Sequence, residues 1–357
     1  MRLFSDFARR AFASAGRCAA AMSVAAGAVL IAAAAHADSA TDEAAAYFKG
    51  KDITIYIGYS PGGNYDLYGR LVAKHMSRHM PGHPNFIPKN MPGAGSLRLA
   101  KYIYTAAPKD GTVIGIVARG IPFAPLFGIA GADYDPTKFN WLGSTNDEVS
   151  VCAFAHRAGI TDWKMLRTKA ASVGSTGPAS DNEQYPKIIN AIFHTKMRIV
   201  SGYPGGKDVD LAIERGEVDG RCSWSWSSIK AGHYDLVKNG QLDIVLQLAL
   251  SKHPDLPNVP LITDIAENDQ DRALLEAVFA RQRLAWPFVA PPGLEPGRVK
   301  VLRDAFEATL RDPAYLAEAD KINLEHVLVR GDVIEDLINR TYKLPKASVE
   351  RLRAILK

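Results

Sequence analysis

Short runs of β-branched and aliphatic residues alternate with longer runs at helical spacing along most of the chain. Ile53-Thr54-Ile55-Tyr56-Ile57 predicts a strand ending at Gly58. After the turn Ser60-Pro61-Gly62-Gly63-Asn64, the apolar positions Leu67, Leu71 and Val72, with His75, recur at helical spacing. Phe86-Ile87-Pro88 and residues 113–117 predict two further strands, with a helix over 96–105 between them. A second cycle begins near Val149, with strands over 149–154, 171–174, 198–201 and 244–248. Residues 208–215 predict an amphipathic helix that Gly216 stops. From Pro296 onward the pattern is helical over 298–310, 313–321 and 333–344. Strands alternating with helices predict an α/β protein of two lobes, each a mainly parallel sheet flanked by helices.

The length of 357 residues fits two domains and leaves room for a leader. Arg2, Arg9, Arg10 and Arg17 form a charged start, and an uncharged run follows from Cys18 to Ala35. Ten residues of that run are alanine, and Ala35-His36-Ala37 offers small residues at the −3 and −1 positions. Residues 1–37 are therefore expected to be a signal peptide cleaved after Ala37, with the Sec and twin-arginine routes both open. Its removal takes away four arginines and one aspartate, so most of the formal charge of +5 goes with it. No basic block remains, so no nucleic-acid or membrane-surface partner is expected. The expected lobes are residues 38–146 plus 266–357, and residues 147–265.

Gly58-Tyr59-Ser60-Pro61-Gly62 matches G-x-S-x-G between a strand and a helix, the setting of a hydrolase nucleophile elbow. Such an elbow needs the backbone N–H that follows the nucleophile, and Pro61 has none. The reading that survives is anion binding: Gly62 and Gly63 turn the chain so that N–H groups leave the helix N-terminus. Val173-Gly174-Ser175-Thr176-Gly177-Pro178 repeats the arrangement, with Ser180 or Asn182 placed to cap the next helix. Ser201-Gly202-Tyr203-Pro204-Gly205-Gly206-Lys207-Asp208 is a third such exit and lacks the residues of a P-loop. Three Gly-rich strand exits with no nucleotide motif point to a small anion held in a cleft.

Other residues carry weaker signals. His75, His79 and His83 have metal-like spacing, but no carboxylate lies between them, so a solvated helix face is expected and no metal. Cys152 and Cys222 are the cysteines that follow the leader, and a disulfide and two buried thiols fit them equally. Arg119, just past a strand end, suits a second carboxylate or a salt bridge with Asp147 or Glu148. Trp224 and Trp226 suit ring stacking or packing.

Taken in order, these segments resemble the solute-binding receptors of tripartite tricarboxylate transporters, the Bug-type periplasmic proteins, from about Asp52 to the C-terminus. The landmarks are Ser60-Pro61-Gly62-Gly63 with Asp66 and Arg70, Asn90-Met91-Pro92-Gly93-Ala94-Gly95, and Ala107-Pro108-Lys109-Asp110-Gly111-Thr112. Tyr134-Asp135-Pro136, Gly174-Ser175-Thr176-Gly177, Tyr203-Pro204-Gly205-Gly206, Gly216-Glu217-Val218-Asp219 and Ala290-Pro291-Pro292-Gly293 follow. The resemblance implies a flytrap fold that closes on a small organic carboxylate, with no catalysis and no cofactor. It implicates Ser60, Gly62, Gly63 and Asp66 in one lobe and Ser175, Thr176 and Gly177 in the other, with Asn64 and Arg119 as further candidates. It also implies a monomer that hands its ligand to membrane components of a transporter. Tyr59-Ser60 replaces the usual Phe-Ala, and the second-lobe loop departs from the family pattern from Pro178 to Pro186. A serine hydrolase using Ser60 and a receptor for a sensor protein are the competing readings.

Overall fold

The structure is a computed structural model that describes residues 43–357, so the expected leader lies outside the described residues. The chain first lays down β1 (Asp52–Ile57), β2 (Asn85–Asn90), β3 (Val113–Ile116) and β4 (Asn140–Ser144). A second sheet follows from β5 (Ser150–Ala155), β6 (Ala171–Ser175), β7 (Met197–Ser201), β8 (Gly220–Ser225) and β9 (Leu242–Leu248). β10 (Pro287–Ala290) and β11 (Val329–Arg330) then return to the first sheet. The strand orders are β11-β4-β10-β3-β1-β2 and β7-β6-β8-β5-β9.

Each sheet has a parallel core, β2-β1-β3 in one and β7-β6-β8 in the other. The flanks are antiparallel, because β5 and β10 enter their sheets directly from a crossover and run against their neighbours. β1 alternates as its sequence predicts, burying Ile53, Ile55 and Ile57. Strands β3, β5 and β10 are buried throughout and carry no alternation.

Helices α1 (Asn64–Met76) and α2 (Leu97–Thr105) follow strands of the first sheet. Around the second sheet lie α3 (Asp181–Phe193), α4 (Gly206–Arg215), α5 (Trp226–Gly232) and α6 (Tyr234–Lys238). The C-terminal part supplies α7 (Asp269–Phe279), α8 (Pro296–Leu310), α9 (Pro313–Lys321), α10 (Gly331–Thr341) and α11 (Lys346–Leu356). On α1, Tyr68, Leu71, Val72 and Met76 are buried in one cluster with the isoleucines of β1. Fully burying each such side chain contributes roughly 1.5–3 kcal/mol.

Two crossovers join the sheets and hydrogen-bond to each other. Glu148 N donates to Gln282 O at 3.1 Å, Ala285 N to Asn146 O at 3.3 Å, and Gln282 Nε2 to Leu248 O at 2.8 Å. The C-terminal helices serve both sheets. Phe279 of α7 packs its ring 4.6 Å from Tyr185 of α3, and Lys187 Nζ of α3 donates to Leu356 O of α11 at 3.2 Å. We retain the lobe division at 146/147 and 265/266 as a proposal, with α7 and α11 leaning on the second lobe.

Cys152 and Cys222 stand opposite each other on β5 and β8 and form a disulfide. The histidine row is not a solvated face. His75 is buried and bonds Glu318 Oε2 at 2.8 Å through Nε2, and His79 bonds Asp312 Oδ2 at 2.8 Å. Helix α9 covers that face of α1, which no local spacing reveals. Trp224 and Trp226 are both buried as packing residues, against the rings of His233 and Tyr234 respectively.

Candidate functional site

The carboxyl ends of β1, β3, β6 and β8 converge on a cleft of about 430 Å³ between the sheets. Of the residues expected there, Gly62, Gly63, Asn64, Arg119 and Thr176 line it. Ser60, Asp66, Ser175 and Gly177 do not, and each has another occupation.

Asp66 locks the first loop. Its carboxylate accepts Gly62 N at 3.0 Å, Arg70 Nε at 2.9 Å and Asn90 Nδ2 at 2.9 Å. Gly62 has φ +89°, a left-handed conformation that favours glycine, so this turn needs both the glycine and the aspartate. Burial pushes the Asp66 carboxyl up, but the bonds from Arg70, Gly62 and Asn90 outweigh it and hold it below the ordinary range. Ser60 joins the lobes: its Oγ donates to Asp208 Oδ2 at 2.5 Å and its N to Pro204 O at 3.3 Å. No histidine bonds Ser60 among the described residues, and its hydroxyl is taken up by the Asp208 carboxylate of the second lobe.

The second-lobe loop is satisfied internally. Asn182 Oδ1 accepts Thr176 N at 3.0 Å, and Ser175 Oγ accepts Gly177 N at 3.1 Å. Those two N–H groups are therefore spent within the loop. Gly177 instead marks a contact between lobes, because a methyl there would lie 2.8 Å from Gly95 N. Gly95 N also donates to Thr176 O at 2.8 Å.

The donors that remain come from two helix starts. Helix geometry leaves the first N–H groups of α1 and α4 without intrahelical partners, while Asp66 N, the third of α1, turns back onto Gly63 O at 2.9 Å. Both N-caps, Gly63 and Gly205, lack a capping side chain. The two starts face each other: a methyl on Gly63 would lie 3.7 Å from Lys207 N. Among the cleft residues, Asn64 Nδ2, Arg221 Nε and Trp286 Nε1 are buried with no acceptor among the described residues. Arg119, Lys207, Arg221 and Lys321 line the cleft against two acids, Asp181 and Asp210. Tyr59, Tyr65 and Trp286 form an aromatic wall, with ring centroids 4.4 Å and 4.5 Å apart along the row.

Arg119 is committed to the protein. Nε pairs with Asp181 Oδ2 at 3.2 Å, NH2 donates to Ser225 Oγ at 2.9 Å, and NH1 donates to Gln282 Oε1. The salt bridge runs to Asp181 of α3, not to Asp147 or Glu148. Burial opposes the Arg119 charge, yet Tyr65, Asp181 and Glu148 together raise its pKa above the ordinary value. Asp181 also faces Arg281, whose Nε lies 3.4 Å from Oδ1 and 3.1 Å from the Tyr185 hydroxyl. One buried carboxylate thus joins a first-lobe arginine to a crossover arginine.

A wider hollow of about 1090 Å³ borders the crossovers and is lined in part by Glu148, Lys230, His253 and Glu325. None of the Gly-rich loops reaches it, so the smaller cleft is the candidate site. Burial pushes the Glu148 carboxyl up to about 7, against the Arg119 charge and the bonds from Ser227 that lower it. The folded chain therefore keeps this proton to about pH 7, whereas an unfolded glutamate loses it near 4.3. Stability should fall as pH rises through that window. Glu148→Gln should match the parent near pH 4 and exceed it above pH 7 in melting temperature. Parallel curves for the two proteins would show that Glu148 carries none of the pH dependence.

Sequence reading alone does not reach Asp181, Asp210, Arg221 or Trp286. Lys207 belongs to the third Gly-rich exit, the signal that would have found it.

Two sheets joined by paired crossovers, with loops meeting over a cleft, define the two-lobed periplasmic-binding-protein fold. Among solved structures, the periplasmic binding protein BugD superposes with a TM-score of 0.66 at 16% identity, covering 85% of this chain and 97% of its own. A protein of R. palustris solved with adipate gives 0.66 at 17% identity, over 86% and 97%. MatC from Rhodopseudomonas palustris, solved with bound malate, gives 0.65 at 17% identity, over 86% and 99%. The curated UPF0065 protein in the gbd 5' region of Cupriavidus necator is 23% identical over 326 residues, 85% of this chain and 88% of that protein. No protein-family model matches. The chain has the fold of Bug-type periplasmic binding proteins.

Proposed function

We propose that this chain is a periplasmic receptor that captures a small organic carboxylate between its lobes and delivers it to a tripartite tricarboxylate-type transporter. The observation that supports it most is the meeting of α1 and α4 N-termini across a cleft with buried, unpartnered donors. Two positive dipole ends facing each other resist closure until an anion lies between them. A carboxylate there is tolerable in a closed cleft because N–H groups from both lobes can bond it. Contacts to both lobes make the ligand favour the closed form. The adipate and malate seen in two neighbours support the ligand class, and the leader-like segment 1–37 supports export.

A thermal-shift screen of mono-, di- and tricarboxylates tests the binding. At a hundred times its dissociation constant a true ligand adds about 2.7 kcal/mol, or about 4 °C for a chain of this size. No shift with any organic acid would remove the proposal. Delivery is tested in cells lacking the chain, which should fail to take up the acid identified until the chain is restored.

A further inference from the structure

We propose that Arg221, with Lys207 beside it, forms a second anion subsite in the second lobe and so selects ligands with an acidic group at each end. This rests on the solute-binding reading above and adds the residues that set the ligand class. Arg221 lies near the start of β8 and lines the cleft. Its NH1 is held by Asp210 Oδ1 at 3.1 Å, and the guanidinium lies 5.6 Å from the Trp224 ring centroid. Its Nε is buried with no acceptor among the described residues. The protein thus fixes one nitrogen of the fork and leaves donors for an oxygen from outside.

The neighbourhood is built for close approach. Gly206 opens α4, and a methyl on it would lie 2.9 Å from both terminal nitrogens of Arg221. Lys207 follows it, half-buried, lining the cleft and free of any ion pair among the described residues. Asp210 does not cancel this pair of cations alone, because its second oxygen lies 3.3 Å from His233 Nε2. Arg119, the other arginine of the cleft, is occupied by Asp181, Ser225 and Gln282. The first acidic group then goes to the α1 start and Asn64 Nδ2, and the second to Arg221 and Lys207. A diacid fills both subsites, whereas a monoacid fills one at a time.

Calorimetry with succinate, glutarate and adipate against butyrate, valerate and hexanoate tests this on the intact chain. The parent protein should favour diacids, and Arg221→Lys, which keeps a cation beside Asp210 but loses the fork, should weaken them roughly tenfold or more. Monoacids should change by no more than about twofold, since a lost charge-assisted bond acts only where a second anion is present. Lys207→Gln, at a half-buried position with no ion pair, should shift diacids in the same direction and guards against misfolding of the arginine variant. Equal losses for both classes, no loss in either, or a parent that binds monoacids as tightly as diacids would overturn the second subsite. A parent that binds none of these or other organic acids would instead overturn the function proposed above.

Discussion

Asp181→Asn should destabilise the protein by about 3–5 kcal/mol, lowering its melting temperature by about 5–8 °C for a chain of this size. The substitution keeps the shape of the side chain and its place at the start of α3 but removes the carboxylate shared by Arg119 and Arg281. Those arginines are only 4% and 1% exposed, so water cannot take over the lost charge. Arg119 retains Gln282 and Ser225, and Arg281 retains Tyr185 and Gln184, none of them an anion. Breaking a buried pair from one side costs more than the pair itself contributes, because the partner is left uncompensated. Asp181 also lines the cleft, so its removal makes the site more positive and should tighten anion binding. The two effects have opposite signs, which separates them from a general loss of structure. Calorimetric melts with and without a bound acid read both. A loss below about 1 kcal/mol, the range of an exposed pair, would show that Asp181 does not hold these arginines.

The network was out of reach of the sequence for a physical reason. Pro178-Ala179-Ser180-Asp181-Asn182 is a run of turn and cap residues, and polarity there predicts a solvated helix start. What buries Asp181 is closure of the other lobe over it, a contact 62 residues away in the chain at Arg119 and 100 away at Arg281. The Gly-rich loops were legible because turn chemistry is local: Gly62 needs its positive φ whatever surrounds it. Strand β1 was legible because one face is buried and the other is not. β10 is wholly buried over Pro287-Phe288-Val289-Ala290, so it shows no alternation, and Trp286 before it gave no sign of lining a site. In β8 the register shifts around Ser223, whose φ of +94° breaks the strand pattern, so Arg221 had no strand to be placed on. Arg119 was legible as a candidate but not in its partner, since the choice among carboxylates is made by how the lobes meet.

Gly120→Ala should weaken ligand capture by roughly tenfold or more while each lobe stays folded, because its closest clash is with backbone of the other lobe. Gly120 follows β3 in the first lobe with φ −77° and ψ −19°, a conformation that alanine adopts without strain. The added methyl would lie 2.6 Å from the carbonyl oxygen of Ala179 in the second lobe, where real contacts lie at about 3.4 Å or more. That carbonyl is backbone, in a loop braced by Ser180 N and Ser180 Oγ donating to Gly177 O, so it has little freedom to retreat. The lobes must part instead, and the separation carries Arg119 away from Asp181 and α1 away from α4. Binding that draws on both lobes is reduced by the fraction of molecules still able to close, and a tenfold loss needs only about 1.4 kcal/mol against closure. Calorimetry gives the affinity, and small-angle scattering shows whether the acid that compacts the parent protein still compacts the variant. Unchanged affinity together with an unchanged compaction would mean that capture does not require the lobes to meet at Gly120 and Ala179. A loss of affinity with compaction abolished would locate the energetics of capture in closure, since Gly120 is not among the residues that line the cleft.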